Sequence, residues 1–528
     1  MGGPGDALHR AEGRDAQLDG SARGPLREQL QRVAHGGGQV VAGWGIGRSD
    51  RGTCGLAIRV RDPGSRHGDI LPAQPGCASS PMFAETATVT VPHFDRLNGV
   101  DILILGSGAR EHALALSLAS ERTDDGAPAN QIFVAPGNAG IGAVAELVTD
   151  LDVLDGDAVS QFAVDNGIDL IVVGPEAPLI AGVVDEPRER GIAVFGPGKA
   201  AAQLEGSKAF AKRIMDDAMV PTGRAAQAGT IAEVEETLDA FGAPYVVKAD
   251  GLAAGKGVLV TEDRAAAVAH AKYWLEQHGT ILIEEFLSGE EVSLFFLSDG
   301  HTVRALSPAQ DYKRAFDGDA GPNTGGMGSY SPLPWLAERP GGEAGFVREV
   351  AETIALPVVR RLAEEQTPFI GLLYCGLILT ADGIRVIEFN ARFGDPETQV
   401  VLPRLVTPLS TLLMAAATGT LATAPEPVFS GQSAIAVVLA SEGYPEDVKT
   451  GRPITGLDAA EAIEGVHVAH AATKVEGEDL VATGGRVLSV VALGDSFTEA
   501  RERAYEAIDK IDLPGSHFRS DIGLKAVR

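Results

Sequence analysis

Short apolar runs alternate with longer mixed segments from Val100 onward. Val100-Asp-Ile-Leu-Ile-Leu-Gly is a β-type run that ends in glycine, and the following Glu111-His-Ala-Leu-Ala-Leu-Ser-Leu-Ala has helical spacing. Similar apolar runs recur at Ile132-Phe-Val-Ala, Leu170-Ile-Val-Val-Gly and Ile192-Ala-Val-Phe-Gly. The segments between them are long enough for crossover helices. This alternation predicts a parallel sheet, in which ligands bind at the carboxyl ends of the strands.

A different pattern begins near Leu204. The apolar runs lie closer together, and several have the spacing of hairpins, which predicts a mainly antiparallel, mixed α+β unit. Its strands are expected at Tyr245-Val-Val-Lys, Gly257-Val-Leu-Val, Ile281-Leu-Ile-Glu, Val292-Ser-Leu-Phe-Phe, Leu377-Ile-Leu and Arg385-Val-Ile-Glu-Phe-Asn.

A last unit follows the linker-like Pro425-Glu-Pro. It has apolar runs at Ala434-Ile-Ala-Val-Val-Leu and Val487-Leu-Ser-Val-Val-Ala, and a charged helix from about Thr498 to Ile511. These elements predict a small C-terminal α+β domain. The size is ordinary for a domain.

Residues 1–99 differ from the rest of the chain. They are rich in glycine, as in Gly36-Gly37-Gly38, and show little sustained periodicity. We interpret the segment as disordered or loosely packed. Two alternatives stay open: native translation could begin near Met82 or Val100, or the segment could be a regulatory arm.

The length of 528 residues is too great for one core of ordinary size. The pattern therefore predicts an α/β and α+β multidomain protein. The expected divisions are an N-terminal extension at 1–99, a parallel-sheet domain at 100–203, a second domain at 204–425 and a C-terminal domain at 426–528.

Composition and charge exclude several classes of function. Lys plus Arg number 44 against 72 Asp plus Glu, a net charge of −28, so non-specific binding of nucleic acid is not expected. No run reaches ~18 uninterrupted apolar residues, so no membrane span is expected. Cys54, Cys77 and Cys375 show no CxxC spacing, which argues against a disulfide framework or a zinc knuckle. With no secretory signal at the N-terminus, we expect a cytoplasmic protein.

The segment Lys248-Ala-Asp-Gly-Leu-Ala-Ala-Gly-Lys-Gly-Val places lysines and glycines between two predicted strands. Glycines let backbone N–H groups approach an anion, and the lysines supply positive charge. A phosphate-binding loop is one interpretation, and a hairpin turn with solvated lysines is the other. The loop is not a GxxxxGK[ST] motif, because a strand follows it.

Glu388 and Asn390 are two residues apart on a predicted strand. Both side chains therefore emerge on one face, while Ile387 and Phe389 are expected to point into apolar packing. Paired oxygen ligands on a strand suit Mg²⁺, which completes its shell with phosphate and water. A polar edge strand facing water is the alternative. The nearby Arg392 and the Gly394-Asp-Pro turn favour the metal site.

Two further segments carry candidate chemistry. Residues 310–330 mix charge with glycine, and a loop of this length within a domain is usually functional or disordered. Its aromatic residues and Met327 favour a packed loop. Gly106-Ser-Gly-Ala-Arg-Glu-His lies at the first strand–helix turn, where helix-end N–H groups favour an anion. It has Glu111 where a dinucleotide fingerprint needs its third small residue, so the nicotinamide signal is weak.

Taken together, these segments resemble the phosphoribosylamine–glycine ligases, or glycinamide ribonucleotide synthetases, an ATP-grasp family of purine synthesis. The resemblance spans residues 100–528. It rests on segments that begin at Gly106, Gly174, Leu204, Lys248, Glu284, Gln310, Val386, Gly484 and Arg519. It implies a pre-ATP-grasp domain, a two-lobed ATP-grasp domain with a flexible small lobe at about 222–292, and a small C-terminal domain.

The resemblance also implies a reaction. ATP would activate glycine as a glycyl phosphate, and the amine of 5-phosphoribosylamine would displace the phosphate to give glycinamide ribonucleotide and ADP. The cofactors would be ATP and Mg²⁺ or Mn²⁺. The partners would be the two small substrates alone, with a monomer expected.

Residue roles follow from the same resemblance. Lys208, Lys248 and the Gly255-Lys256-Gly257 lid would contact the ATP phosphates, Glu284, Glu285 and Leu287 the adenine, and Glu291 the ribose. Glu388 and Asn390 would hold the metal. Arg392, Asp311 and Lys313 would serve the reacting glycine, and Gly108, Arg110, Glu111, Asn138 and Glu176 the phosphoribosyl group. Two departures from the family pattern are noted. Cys375-Gly-Leu-Ile-Leu lacks a second acidic metal ligand, and His470-Ala-Ala-Thr carries Ala472 where the family usually has Gly, so His470 is left out of the site.

Three other functions remain as alternatives. A different ATP-grasp ligase, such as a carboxylase subunit or a carboxyaminoimidazole synthase, would share the fold but need other acceptor residues. A nicotinamide oxidoreductase is disfavoured by Glu111. A regulatory protein on an inactive scaffold is disfavoured because every expected charged site residue is present.

Overall fold

The computed structural model describes residues 39–43, 57–61, 99–251 and 257–527. The chain divides into two units, Met1–Leu97 and Asn98–Arg528. In the first unit, β1 (Gln39–Gly43) pairs antiparallel with β2 (Ala57–Arg61). The predictions made for the other residues before Gly99 lie outside the described residues. Among the described residues, no helix combines the length and apolar composition that a membrane crossing requires.

The second unit opens with the predicted parallel sheet. Its strands run in the order β5-β4-β3-β6-β7. They are β3 (Val100–Gly106), β4 (Asn130–Pro136), β5 (Glu146–Leu147), β6 (Leu170–Val173) and β7 (Ala193–Phe195). The accompanying helices are α1 (Ala109–Ser120), α2 (Gly156–Asn166), α3 (Glu176–Ala181) and α4 (Asp185–Glu189), with a 3₁₀ turn at Ile141–Ala143.

Burial on both faces explains why β3 is an unbroken apolar run. Leu103 and Leu105 belong to one core cluster, whereas Ile102 and Ile104 belong to another, and all four side chains are fully buried. Since β3 lies between β4 and β6, the strand order reverses there. The carboxyl ends of β3 and β6 therefore form the place where a ligand is expected to bind.

A small antiparallel sheet follows two helices, α5 (Lys199–Gly206) and α6 (Lys208–Asp217). Its strands run in the order β10-β9-β11-β8. They are β8 (Ala225–Ala228), β9 (Tyr245–Ala249), β10 (Val258–Thr261) and β11 (Ile281–Glu284), covered by α7 (Ile231–Phe241) and α8 (Arg264–His278).

This small sheet has its own apolar core. Val234 and Leu238 of α7 and Ala267 and Ala271 of α8 pack on it in a separate cluster. The predicted small-lobe limit at 292 runs past the sheet, because residues from Glu290 onward already belong to the next one. Flexibility of this lobe stays a prediction.

The next antiparallel sheet has the order β13-β12-β18-β19. Its strands are β12 (Glu290–Asp299), β13 (Val303–Ala305), β18 (Ile370–Thr380) and β19 (Gly383–Asn390). Between β13 and β18 lie 3₁₀ turns at Asp317–Asp319 and Pro334–Glu338, helix α9 (Gly342–Val350), a π-helical turn at Ala351–Ala355, and α10 (Leu356–Glu364).

A third antiparallel sheet joins residues 310–331 to the C-terminal part of the chain. Its order is β14-β17-β20-β24-β21, so the predicted C-terminal domain does not form its sheet alone. The strands are β14 (Gln310–Asp311), β17 (Gly328–Ser331), β20 (Ser433–Ala440), β21 (Val466–His470) and β24 (Arg486–Gly494).

Two hairpins and five helices complete the unit. The hairpins are β15 (Arg314–Phe316) with β16 (Ala320–Asn323) and β22 (Thr473–Glu476) with β23 (Asp479–Ala482). The helices are α11 (Thr398–Val401), α12 (Leu409–Ala417), α13 (Leu457–Glu461), α14 (Phe497–Ile508) and α15 (Leu524–Val527), with 3₁₀ turns at Leu402–Arg404 and Leu421–Thr423.

Candidate active site

A bulge on β19 shapes the strand that carries the Glu388–Asn390 pair. Glu388 lies opposite Gly376, but the next pair is Val386 with Leu377, so Ile387 has no partner across the ladder. The prediction that Ile387 packs into the apolar side is wrong. Val386 and Phe389 are buried there, and Ile387 is half-buried.

Positive charges surround Glu388. Burial alone would raise the pKa of Glu388, but the charges of Lys313, Lys248, Lys208 and Arg392 hold it below its usual value. Glu388 is therefore a carboxylate at neutral pH, and the cationic residues from the separate predicted motifs converge on it.

Lys248 links the small sheet to the bulge on β19. Its Nζ donates to Glu284 Oε2 at 3.0 Å and to the Ile387 carbonyl at 3.3 Å. The same Glu284 oxygen lies 3.5 Å from Nζ of Lys212, which also donates to Thr222 Oγ1 at 2.8 Å. Burial lowers the pKa of Lys212. The sequence analysis gave no role to Lys212, a buried lysine on α6, although it lies in the family-like segment that begins at Leu204.

Lys208 lies at the start of α6 beside the glycine-rich loop. Its Nζ donates to the Gly251 carbonyl at 3.0 Å, and its backbone N–H donates to Asp250 Oδ1 at 2.7 Å. Burial lowers the pKa of Lys208 against the pull of Glu388. Asp250, which holds the helix start to the loop, was also missed.

The predicted lid is described only at its ends. The Ala249 N–H donates to the Gly257 carbonyl at 2.7 Å, so the two ends of the loop lie side by side. Gly255 and Lys256 lie outside the described residues, and their lid role stays a prediction.

The predicted adenine hinge connects β11 to the segment before β8. Glu285 Oε2 accepts from Arg224 Nε at 2.6 Å, and the Glu285 N–H donates to the Arg224 carbonyl at 3.0 Å. Leu287 is half-buried and packs near Gly223. The Glu284 side chain contacts Lys248 and Lys212. Any contact of Glu284 with adenine must therefore be made by its backbone.

The residues expected to bind ribose and glycine contact each other. Lys313 Nζ lies 2.6 Å from Glu291 Oε2. Burial, opposed by the charge of Lys313 and aided by the carboxylates of Glu397, Glu291 and Glu388, raises the pKa of Asp311 to about 7. Asp311 is thus poised between its two protonation states near neutral pH.

Glu397 is a second acidic residue of this region that the sequence reasoning quoted but gave no role. Its Oε1 accepts from Ser293 Oγ at 3.0 Å and from Tyr374 OH at 2.9 Å, and the residue is only 3% exposed. Those two hydroxyls come from β12 and β18. They fix the carboxylate between the sheet and α11.

Arg392 joins the sheet to the carboxyl-end region of the parallel strands. Its Nη2 lies 3.0 Å from Glu205 Oε1, and its Nε lies 3.3 Å from Glu176 Oε2. Burial opposes the charged form, but Glu205 and Glu176 raise the pKa of Arg392. Glu205 was missed. It also accepts from the Ala391 N–H at 2.7 Å and so fixes the turn after β19.

The Glu111 side chain accepts hydrogen bonds inside the first strand–helix turn and so stabilises it. Its carboxylate accepts from the Gly108 N–H at 2.6 Å and from Arg110 Nε at 2.6 Å. A Cβ at Gly106 or Gly174 would stand 2.6 Å or 2.1 Å from Glu111 atoms. These glycines therefore make room for the glutamate that replaces the small residue of a dinucleotide fingerprint.

Asn138 and His470 connect this turn to the C-terminal strands. Asn138 Nδ2 donates to the carbonyls of Ser107 at 2.9 Å and His470 at 2.8 Å. The His470 N–H donates to His112 Nδ1 at 2.8 Å. Burial lowers the pKa of His112 to about 3 and that of His470 to about 4, so both rings are neutral.

The Phe393 carbonyl links the turn that carries Arg110 to the segment that carries Arg392. Phe393 O accepts from Arg110 Nη1 at 3.3 Å and from Arg392 Nη1 at 3.2 Å. The turn at the end of β3 and the Glu388 strand are therefore adjacent, and they flank the region that we call the cleft. A separate cavity of about 500 Å³, lined among others by Asp185, Arg188 and Lys199, contains none of the predicted site residues.

The donor set fits a divalent cation that is shared with phosphate. Glu388 is ionised, Asn390 supplies an amide oxygen two residues away on the same face, and no group of three or more His, Cys, Asp or Glu in the described ranges forms a full metal cage. Mg²⁺ characteristically takes one or two protein ligands plus phosphate oxygens and water.

A parallel-sheet unit followed by two antiparallel sheets, whose lysines and Glu–Asn pair meet in one cleft, defines an ATP-grasp enzyme. Three family models of phosphoribosylglycinamide synthetase match the chain: the N domain at 100–205, the ATP-grasp (A) domain at 206–398 and the C domain at 434–525. The chain belongs to this family. The predicted limits at 203 and 425 stay predictions.

Relatives and solved structures agree with the family. A phosphoribosylamine–glycine ligase of Leifsonia xyli is 66% identical over 427 residues, which cover 80% of this chain and 100% of the relative. One of Streptomyces coelicolor is 56% identical, over 80% of this chain and 99% of its own. The crystal structure of the Thermotoga maritima phosphoribosylamine–glycine ligase superposes with a TM-score of 0.67 at 32% identity, covering 80% of this chain and 100% of that one.

A more distant likeness concerns the fold alone. The N5-carboxyaminoimidazole ribonucleotide synthetase of Thermotoga maritima matches with a TM-score of 0.53 at 17% identity, over 78% of this chain and 99% of its own.

Proposed function

We propose that this chain ligates glycine to 5-phosphoribosylamine in de novo purine biosynthesis. ATP is consumed, and glycinamide ribonucleotide, ADP and phosphate are formed. The observation that carries the proposal is the convergence of Lys208, Lys248, Lys313 and Arg392 on Glu388. It occurs in a chain 66% identical to a protein named for this activity.

The reaction proceeds in two steps. An oxygen of the glycine carboxylate attacks the γ-phosphorus of ATP, the bond to the β–γ bridging oxygen breaks, and glycyl phosphate and ADP result. The amine of phosphoribosylamine then attacks the acyl carbon, and phosphate leaves as the amine gives up a proton. A carboxylate is a poor electrophile, so the acyl phosphate supplies the leaving group.

The protein's part is to position and neutralise charge. Lys208 and Lys248 face the triphosphate, where fixed cations stabilise negative charge as it moves between phosphates. The predicted lid, with Gly255, Lys256 and Gly257, excludes water from the acyl phosphate. Glu284, Glu285 and Leu287 receive the adenine edge.

Glu388 and Asn390 would hold Mg²⁺ or Mn²⁺. A bound cation would supply positive charge that offsets part of the negative charge of the phosphates. The low pKa of Glu388 keeps this carboxylate ready to ligate across the neutral range.

Glu291 changes partner when the nucleotide binds. In the structure it pairs with Lys313 at 2.6 Å. As the ribose hydroxyls take the Glu291 carboxylate, Lys313 is released toward the glycine carboxylate. This exchange couples ATP binding to the capture of glycine.

The acceptor residues divide between the two substrates. Asp311 holds the glycine ammonium, and Arg392 orients the acyl phosphate with its planar fork. Gly108, Arg110, Glu111, Asn138 and Glu176 serve the phosphoribosyl group at the carboxyl ends of the parallel strands. Of these, Glu111 acts by shaping the turn, because its carboxylate is engaged within it.

The test is phosphate release with ATP, glycine and freshly made phosphoribosylamine, each omitted in turn. Release that requires all three is expected. Release that requires bicarbonate in place of glycine would overturn the proposal in favour of a carboxylating ATP-grasp enzyme.

We propose further that the protein is a cytoplasmic monomer. Light scattering should give a mass near 54.8 kDa. A mass of twice that value would contradict the monomer.

A further inference from the structure

Arg519 is the largest fully buried side chain among the residues that the structure describes, at 1% exposure. It begins the Arg-Ser-Asp-Ile-Gly segment that the sequence marks without a role. Its Nε and Nη2 each donate to Asp521 at 2.7 Å, and its Nη1 donates to Asp319 at 2.8 Å. The guanidinium thus joins the C-terminal segment to the β15–β16 hairpin.

Arg519 contacts both chain neighbours of Lys313. Its Cζ lies 4.7 Å from the centre of the Tyr312 ring, and its Nη1 donates to the Arg314 carbonyl at 3.2 Å. Successive side chains of an extended chain point to opposite faces. Tyr312 accordingly packs in the core, whereas Lys313 reaches Glu291 in the cleft at 2.6 Å.

The surrounding contacts hold the same segment. The Gly523 N–H donates to Tyr312 OH at 3.1 Å, and the Gly318 N–H donates to Asp521 Oδ2 at 2.9 Å. The Ser520 N–H donates to Asp317 Oδ1 at 2.8 Å. Residues 519–523 therefore contact the β15–β16 hairpin at its turn and also the segment that leads into it.

Burying a charged guanidinium is a costly way to gain stability, and one of its two carboxylate partners, Asp319, is exposed. Desolvation of the Arg519 charge offsets part of its attraction to the carboxylates. What the guanidinium provides is a fixed, planar set of donors that specifies one geometry. The residues so specified are those on either side of Lys313.

We infer that Arg519 is a positioning residue for the glycine side of the site. By fixing Tyr312 and the Arg314 carbonyl, it sets the direction in which Lys313 and Asp311 enter the cleft. The assignment of Lys313 and Asp311 to glycine rests on the proposed function. The claim that Arg519 orders residues 312–314 does not.

The experiment compares Arg519→Lys with wild type and with Arg503→Lys. Arg503 is a matched control, because it bonds Leu493 O at 2.7 Å and Glu499 at 2.8 Å within the C-terminal part only. In Arg519→Lys the KM for glycine should rise roughly tenfold, since small misplacements near the reacting groups are costly, while the KM for ATP stays within about twofold. Arg503→Lys should leave both values unchanged.

A purely structural role gives a different result. It would lower the melting temperature and the active fraction, and so kcat, with both KM values unchanged. That result in folded Arg519→Lys would overturn the inference.

Hydrogen exchange supplies a readout that does not need turnover. The amides of 312–323 should exchange faster in Arg519→Lys than in Arg503→Lys. If wild type shows no glycine-dependent turnover, the proposed function fails, and equal exchange in the two variants would then overturn the positioning role as well.

If Arg519→Lys does not fold, the Asp319→Asn variant tests the positioning role in its place. Its exposed carboxylate is one of the two that hold Arg519, and an unchanged KM for glycine and unchanged exchange in that variant would overturn the inference.

Discussion

At the residue scale, the acidic groups of the cleft have opposite environments. Glu388 faces several cations, which hold its pKa low, whereas Asp311 faces carboxylates and burial, which raise its pKa to about 7. The first therefore stays charged throughout the neutral range, and the second changes charge within it. This division suits a metal ligand and a titrating substrate ligand, respectively.

Asp311 should give the pH profile of glycine use. If its carboxylate holds the glycine ammonium, kcat/KM for glycine should rise with pH through about 7, and Asp311→Asn should remove that limb. A profile in which the limb survives in Asp311→Asn would assign it to another group.

The stability of Asp311→Asn independently checks the direction of the pKa shift of Asp311. The folded-state pKa of Asp311 lies above its unfolded value. Its contribution to stability is therefore present below about pH 4 and lost as pH rises through 7. Asp311→Asn should be more stable than wild type at pH 8 and equal to it at pH 4, measured by urea unfolding.

Several residues of the site could not be read from the sequence. Lys212, Glu205 and Asp250 were missed because each acts through a partner distant in the chain. Glu205, for example, meets Arg392 across 187 positions. Helical spacing shows that such a residue lies on a face but not what that face meets. The available signal was membership of the family-like segments. Glu205 and Lys212 lie in the one that begins at Leu204, and Asp250 lies in the one that begins at Lys248.

At the element scale, long apolar runs were predictable and short polar strands were not. β3, β18, β20 and β24 follow from runs of buried residues. β14 has two residues, and the strands of the β15–β16 hairpin have three and four, so none is long enough for periodicity to detect. The packed nature of residues 310–330 was nevertheless predictable: Met327 and Tyr330 are fully buried.

The bulge on β19 depends on pairing, which a single strand does not reveal. Alternation predicted the common face of Glu388 and Asn390 but placed Ile387 in the core. The sequence of β18 left one useful signal, Gly376, directly opposite Glu388.

Gly376→Ala tests how closely the two strands set the metal ligand. A Cβ there would stand 3.0 Å from Glu388 Cγ and 3.4 Å from Tyr374 Cε1, so the carboxylate must shift. Turnover should fall roughly tenfold with little loss of stability. Gly431→Ala is the matched control, since no atom lies within 4 Å of its added Cβ. Equal turnover in the two variants would show that Glu388 tolerates displacement.

At the scale of the whole molecule, the C-terminal part belongs to the site's framework. β20 pairs with β17, and Arg486 holds Asp395 at 2.9 Å and the Gly325 carbonyl at 2.7 Å. A boundary at 425 was reasonable from Pro425-Glu-Pro. The pairing of β17 with β20 across this boundary could not be predicted, because the residues of a strand do not identify the strand with which it pairs.

The histidine contact between α1 and β21 should make stability depend on pH. His112 and His470 are neutral in the folded state, with pKa values of about 3 and 4, so the unfolded chain binds more protons below pH 6.5. The free energy of unfolding should therefore fall as pH drops from 6.5 toward 4. His470→Gln should flatten this slope, and His301→Gln, at an exposed position, should not. Identical slopes in both variants would contradict the assignment.

Removal of residues 1–97 should leave catalysis intact. All proposed site residues lie at or beyond Gly108, and the family match begins at residue 100. A chain that starts at Asn98 should keep kcat and both KM values within about twofold of the full chain. Loss of folding or turnover would show that the N-terminal unit contributes to the enzyme.

A crystal structure with Mg²⁺ and a non-hydrolysable ATP analogue would locate the phosphates directly. The β- and γ-phosphates should lie between the Glu388–Asn390 pair and the Nζ atoms of Lys208 and Lys248. Phosphates bound at the Gly106–Gly108 turn instead, with Glu388 and Lys248 free of the nucleotide, would contradict this placement.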